Sequence, residues 1–192
     1  MHKRAIYRQV AELHAAAIDQ GFLSQLGPRF LTLLYEAIDR STTSVLILDT
    51  REGKLCGFVS GGTGLGPIYR QLLKRLPLLI AALWPVMFSP RKLGKIVEVV
   101  LHTRKQPAAN LPEAELYSIA VSPEFRGRGV AERLYRSLRS AFVERGITEF
   151  KIVVGDSLAP AQAFYRKVGA DPKMTIHVHK GIGSTVFVDK QA

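Results

Sequence analysis

Apolar positions along the chain recur with two different periods, and the changes of period mark out the elements. In residues 5–20, Val10, Leu13, Ala17 and Ile18 fall on one helical face, and the run stops at Gly21. Pro28 occupies the favoured first position of a second helix, which runs to about Arg40 with Phe30, Leu33, Leu34, Ala37 and Ile38 inward. Two short β-type runs, 45–48 and 55–59, come next, joined by the turn-forming stretch Asp49-Thr50-Arg51-Glu52-Gly53-Lys54. Residues 116–121 are apolar and β-compatible, Ser122-Pro123-Glu124 breaks the run, and from Gly129 the residues Val130, Leu134, Leu138 and Phe142 recur at helical spacing until Gly146. Residues 148–155 read as a further strand. Asp156 or Ser157 then caps a helix through Pro160, Ala161, Phe164, Tyr165 and Val168 to Gly169. Residues 174–178 and 185–188, around Gly181-Ile182-Gly183, predict a closing hairpin. Helices and strands thus alternate irregularly, as in an α+β protein.

One stretch interrupts this order. About 45 residues separate Gly66 from the central strand at 116–121, too many for a structureless connection inside a compact domain. They predict an insertion at about 66–110 of two or three helices, broken near Pro77, Pro85 and Pro90. Between Arg70 and Lys105 stand eight basic residues (Arg70, Lys74, Arg75, Arg91, Lys92, Lys95, Arg104, Lys105) against Glu98 alone, so most of the chain's formal charge of +11 is local. Only Tyr69, Trp84 and Phe88 interleave with these charges, which is thin for a nucleic-acid surface, and no nucleic acid is expected as a partner. The uncharged run 76–88 is shorter than the ~20 residues a bilayer span needs. Three readings of the insertion remain open: packing on the domain's own sheet or on a second subunit in a homodimer, a lid over a substrate site, and peripheral contact with a membrane interface.

At 192 residues the chain is expected to form a single domain carrying that insertion. The basic start MHKRAIYRQV has no apolar run of signal-peptide length after it, and the single cysteine, Cys56, forms no internal disulfide, so a cytoplasmic location is expected. Cys56 reads as a small core residue and His14 as a half-exposed structural one. His177 and His179 share a strand face and read as paired surface histidines, with substrate contact or a role as bases left open; no Cys, Asp or Glu completes a local ligand set, so no metal is expected.

The chemistry concentrates in residues 115–145. A basic turn punctuated by glycine lies between a buried strand and a helix start, where unpartnered backbone N–H groups and the positive end of the helix dipole attract anions. Arg126, Gly127, Arg128 and Gly129 place such donors within reach of a phosphate, since glycine has no Cβ to keep a ligand away. A dinucleotide turn would need a third glycine where Glu132 stands, and the Gly-Lys-Ser/Thr of a P-loop is absent. The stretch instead resembles the acetyl-CoA signature of the GNAT acyltransferase superfamily, Q/R-x-x-G-x-G/A, met by Arg126, Gly129 and Ala131. AQAFYRKVGA is similar to a second family motif, A-x-x-x-Y-x-K-x-G-F, through Ala161, Tyr165, Lys167 and Gly169. Leu158 departs from a frequent Asn, and Ala170 from the usual aromatic. GFLSQLGPRFLTLLYEAI and LCGFVSGG look like the family too, so the resemblance covers nearly everything outside the insertion.

That resemblance implies a mixed, splayed sheet flanked by helices, with acetyl-CoA or another acyl-CoA as co-substrate. It places pantetheine along the backbone of Ile119 and Val121. The pyrophosphate would lie on the amides of Arg126, Gly127, Arg128, Gly129, Val130 and Ala131. The implied reaction moves an acyl group to a primary amine by direct attack in a ternary complex, with Tyr165 facing the thioester sulfur. An alkyl amine with a pKa near 10.4 costs about 4.6 kcal/mol to deprotonate at pH 7, so a base is needed, and Glu115 at the head of the central strand is the candidate. The basic insertion points to a small-molecule or peptide amine that carries negative charge. The competing expectation is a non-enzymatic acyl-CoA-binding module.

Overall fold

The computed structural model describes residues 3–18, 23–87, 111–179 and 182–191. Helix α1 (Lys3–Ala17), a 3-10 turn (Leu23–Leu26) and α2 (Pro28–Arg40) lead into strands β1 (Ser44–Arg51) and β2 (Lys54–Thr63). Helices α3 (Gly66–Leu73) and α4 (Leu76–Met87) precede the central strand β3 (Ala114–Val121), and α5 (Val130–Val143), β4 (Glu149–Gly155), α6 (Ala159–Lys167), β5 (Asp171–His179) and β6 (Ile182–Lys190) complete the chain. The strands form one open sheet in the order β1-β2-β3-β4-β6-β5. Every neighbouring pair is antiparallel except β3 with β4.

Each face of the sheet has its own core. On one, Tyr7, Val10 and Ala11 of α1 and Phe30, Leu31, Ala37 and Ile38 of α2 bury Phe58 and Ala120. On the other, Val130, Leu134, Leu138 and Phe142, the helical repeat of α5, cover Phe150, Ile152 and Val154 of β4 and Phe187 of β6. α5 lies close on the sheet because β2 is glycine-rich there. A Cβ on Gly61 would stand 2.8 Å from the Glu115 carbonyl and 2.9 Å from the Phe142 ring, and one on Gly57 3.0 Å from Leu134. α5 ends as its sequence dictates: Gly146 is left-handed at φ 72°, and Ile147 donates its N–H back to the Phe142 carbonyl at 2.9 Å.

Several sequence expectations are corrected. The hairpin turn is only Glu52-Gly53, both at positive φ, a two-residue turn whose twist matches its strands. β2 reaches Thr63 rather than stopping at Val59, because its glycines leave room for α5. Pro85 does not break the insertion, since α4 runs through it; the break expected near Pro77 is present, between Leu73 and Leu76, and Pro77 itself sits in the first turn of α4, where a missing N–H costs nothing. Neither Asp156 nor Ser157 caps α6; its N-cap is Leu158, and the Asp156 carboxylate accepts from Thr185 Oγ1 at 2.8 Å instead. The stop at Gly21, the break at Pro90, the basic residues 91–105 and the side chains of His177 and His179 lie outside the described residues.

His14 is buried, not half-exposed: it is 2% accessible, stacked against Phe58, with Nδ1 2.5 Å from the Tyr35 hydroxyl, which also bonds the Ser118 side chain on β3. Burial lowers its pKa from 6.5 to about 4, so the folded state holds it neutral. Cys56 is a fully buried free thiol, as expected. The insertion is tied down by the buried Glu36 of α2, which takes Arg75 at the α3–α4 elbow at 2.5 Å and Arg40 at 3.0 Å.

Two outcomes follow. Gly61→Ala lowers unfolding free energy by about 1–3 kcal/mol in urea titration, because backbone and ring must both give way. Gly66→Ala, with nothing within 4 Å, changes it by less than about 0.5 kcal/mol. The unfolded chain protonates His14 below about pH 6.5 and the folded chain only near 4, so stability falls as pH drops across that window, by up to about 3 kcal/mol. Unfolding titrations at stepped pH should show that slope flattened in His14→Phe.

Candidate functional site

β3 and β4 run parallel but share register only at Glu115↔Lys151 and Leu116↔Ile152. Beyond Leu116 they part, each held by its other neighbour, β3 by β2 and β4 by β6. A row of backbone groups on β3 is therefore left facing a gap inside the sheet. Ser122 donates its N–H to Cys56 on β2 at 2.9 Å, so by alternation the N–H and C=O of Val121 and Ile119 point away from β2, into the gap. The Val121 carbonyl is reached there by Nε of Arg126 at 3.4 Å. An extended chain with amide groups fits against such an edge as a short extra strand would.

At the end of β3 the chain turns through a 3-10 turn, Pro123–Phe125, into α5. Gly127 and Gly129 both adopt φ 72°, a conformation that side-chain-bearing residues rarely take. Gly129 is the N-cap and no side chain caps it. The first intrahelical bond runs from Arg133 N–H to the Gly129 carbonyl, which leaves the first-turn amides of Val130 and Ala131 without helical partners. These donors and the helix dipole make an anion cradle. One expectation is corrected here: the Arg126 amide already donates to Pro123 at 3.3 Å, so Arg126 offers only its side chain. Arg128 stacks its guanidinium over Phe125, 5.7 Å from the ring centre.

Arg133, which the sequence reading passed over, braces this turn. It donates to the Arg128 carbonyl at 3.1 Å and pairs with Asp49 of β1 at 2.7 Å. Glu132, an acid in the first turn of α5, is neutralised by Lys167 at 2.5 Å, whose hydrogen bond holds its carboxyl below the usual range. The lysine of the second sequence motif therefore removes a repulsion that an incoming phosphate would otherwise meet.

Glu115 and Tyr165 lie on opposite faces. Ala114 and Leu116 belong to the α5 core, so Glu115 and Tyr117, alternating with Leu116, project toward the α1–α2 side. Burial raises the Glu115 pKa above its ordinary value, opposed by Lys151 at 3.6 Å. Tyr117 reaches the Gly64 carbonyl at 3.4 Å, and its phenol is pushed up by burial and then by Glu115, Tyr69 and Glu113. These neighbours define a mouth of acids and tyrosines that also includes Tyr69 of α3. Glu113 and Tyr117 were legible as the residues two before and two after Glu115; Lys151 and Tyr69 meet there only through the fold. Tyr165 is 5% accessible beside Tyr135 and Phe187, and burial pushes its phenol well above 10, so it stays protonated as a donor. Among the described residues no group of three or more His, Cys, Asp or Glu side chains is placed to hold a metal ion.

Residues 11–170 match the family described as the acetyltransferase (GNAT) family. Among curated proteins, the chain is 34% identical over 62 residues to one named as a [ribosomal protein bS18]-alanine N-acetyltransferase of Bacillus subtilis (strain 168), a match that spans 32% of this chain and 41% of that relative. Among solved structures, an N-acetyltransferase from Staphylococcus aureus Mu50 superposes with a TM-score of 0.64 over 98% of this chain and 94% of its own, at 13% identity. A Bacillus anthracis str. Ames structure, described as a streptothricin acetyltransferase in complex with acetyl coenzyme A, has a TM-score of 0.55 over 82% of this chain and 68% of its own, at 13% identity. With a family match of that extent, and with the splayed strands and the uncapped glycine turn beside them, the chain belongs to the acetyltransferase (GNAT) family.

Proposed function

We propose that this protein transfers an acetyl group from acetyl-CoA to a primary amine by direct attack of the amine within a ternary complex. The observation that carries the reading is the gap between β3 and β4, with an anion cradle at its open end and a carboxylate at its closed end. When bound, acetyl-CoA supplies the activated acyl group as a thioester. The pantetheine chain has amides, and the exposed backbone of Ile119 and Val121 offers them strand-like partners. The pyrophosphate has its donors in the amides of Gly127, Arg128, Gly129, Val130 and Ala131, with the Arg126 side chain adding positive charge.

Glu115 takes a proton from the amine. Its raised pKa makes the carboxylate a stronger base than a solvated one, and Lys151 at 3.6 Å favours its charged form against the burial. On the other face Tyr165 donates a hydrogen bond toward the sulfur. Its buried phenol is a poorer acid than a thiol, so it stabilises developing thiolate charge rather than surrendering its proton. The mouth around Glu115 also bears on the acceptor. Glu113, Glu115, Tyr117 and Tyr69 against Lys151 favour a cationic amine end, whereas the exposed Arg70 and Lys74 would attract any acidic remainder of the acceptor. A peptide α-amine or a small polyfunctional amine fits that description.

Calorimetric titration should show acetyl-CoA binding that Gly129→Glu abolishes in a variant still folded by circular dichroism; a wild type that binds none ends the proposal. Against an amine panel, Glu115→Gln should lower kcat/KM by about 10²-fold and remove the fall in rate as pH drops through the raised Glu115 pKa. Tyr165→Phe should lower kcat by about tenfold at unchanged acetyl-CoA affinity. An undiminished rate in either variant removes that residue from the chemistry.

A further inference from the structure

We propose that α4 is a membrane-docking element, and that its partner is a bilayer surface bearing anionic headgroups. The helix Leu76–Met87 contains no charged residue. Leu79, Ala82 and Leu83 face inward onto the α1–α2 core. Its outer face is as apolar as its inner one: Leu76, Leu78, Ile80 and Trp84 are 47%, 44%, 48% and 56% accessible, and Leu73 at the end of α3 extends the strip at 60%. A surface helix of a water-soluble domain normally turns polar side chains outward. A contiguous apolar strip of this kind marks an interaction site.

Charge selects the partner. From Gly66 to Met87 there are three cations and no acid. Arg75 is spent on Glu36, which fixes the α3–α4 elbow, while Arg70 and Lys74 are exposed and carry no acidic partner among the described residues. Two copies meeting through this face would each bring the uncompensated Arg70 and Lys74 to the contact, with no acid from Gly66 to Met87 to receive them, on chains that each carry a formal charge of +11. An anionic bilayer accepts the aliphatic side chains and the cations together. No helix of the described residues is long and apolar enough to cross a membrane. At about 18 Å, α4 is well short of the ~30 Å core, so it lies along the interface. Tryptophan is favoured at that depth.

Trp84, the single tryptophan of the chain, is a built-in reporter. The full chain is mixed with vesicles of phosphatidylcholine alone, or of phosphatidylcholine with phosphatidylglycerol, and followed by co-sedimentation and by Trp84 emission. Expected are pelleting with the anionic vesicles, weakened about tenfold or more by raised salt, a blue shift of the emission, and quenching by brominated acyl chains. Ile80→Asp should weaken pelleting at least about tenfold while circular dichroism and acetyl-CoA titration remain those of the wild type. No pelleting of the wild type overturns the proposal. So does pelleting that leaves Trp84 emission unchanged or that Ile80→Asp does not weaken, since contact is then made elsewhere. A doubled mass in gel filtration that Ile80→Asp abolishes gives this face to a second copy and likewise overturns it. None of these readouts depends on acetyl transfer, so the docking face and the enzymatic reading fail separately.

Discussion

The structure depends on one refusal to pair. A parallel pair of strands in the middle of a sheet normally keeps its ladder, because an unsatisfied backbone amide or carbonyl inside a protein costs as much as a lost hydrogen bond. Here β3 and β4 pair at two positions and then diverge. Divergence is sustained because each strand is fully engaged on its other edge, and because two separate cores pull from opposite faces. The bulge on β3 contributes. Ser60 opposes Ser118 while Gly61 opposes Leu116, so Tyr117 is an extra residue that twists the strand where the gap begins. Behind the bulge, Ser118 is tied to Tyr35 and, through it, to the neutral His14. Polar side chains buried in the α1–α2 core, Tyr35 and His14, thus hold the strand segment from which the gap opens.

How much of this was legible follows from what each feature needs. The anion cradle is local: a strand, a proline break, two glycines and a helical repeat lie within residues 116–142, and Gly127, Gly129 and Val130 take the backbone roles their types suggest. The helix starting at Pro28 and the reversal at Gly146 are equally local and were read correctly. Errors arose where an outcome depends on partners distant in sequence. Asp156 has the side chain of an N-cap but is drawn off by Thr185 across the sheet. His14 has the composition of a surface residue, yet Tyr35 and Phe58 bury it. The Arg126 amide is consumed by a 3-10 turn that the glycine pattern does not announce. Lys151 beside Glu115 follows only from the register of two strands 36 positions apart.

The charge of the chain takes on a different meaning once it is placed. In the sequence it was the basic insertion that pointed to an anionic acceptor, and its basic residues 91–105 lie outside the described residues. Among the described residues the charges are sorted by task. Arg126 and Arg128 flank the cradle, Lys167 cancels Glu132, Arg139 lies 3.3 Å from the buried Asp189, and Arg75 and Arg40 share Glu36. The mouth beside the closed end of the gap, by contrast, gathers two acids and two tyrosines around one lysine. A polyanionic co-substrate on one face and a protonated amine on the other would each meet complementary charge, with the sheet as the partition between them.

The insertion belongs to both halves of this arrangement. α3 carries Tyr69 into the mouth beside Tyr117, and the same helix carries Arg70 and Leu73 onto the exposed strip that α4 continues. Glu36 clamps the elbow between them through Arg75, so the two helices are held to α2 as one unit rather than hanging from their connections. A contact made by α4 therefore has a short, rigid route to the acceptor side of the gap. Weakening that clamp with Glu36→Gln would leave the anion cradle intact, since no residue of the cradle touches it. It would instead loosen Tyr69 relative to Glu115, separating acceptor recognition from co-substrate binding within one chain.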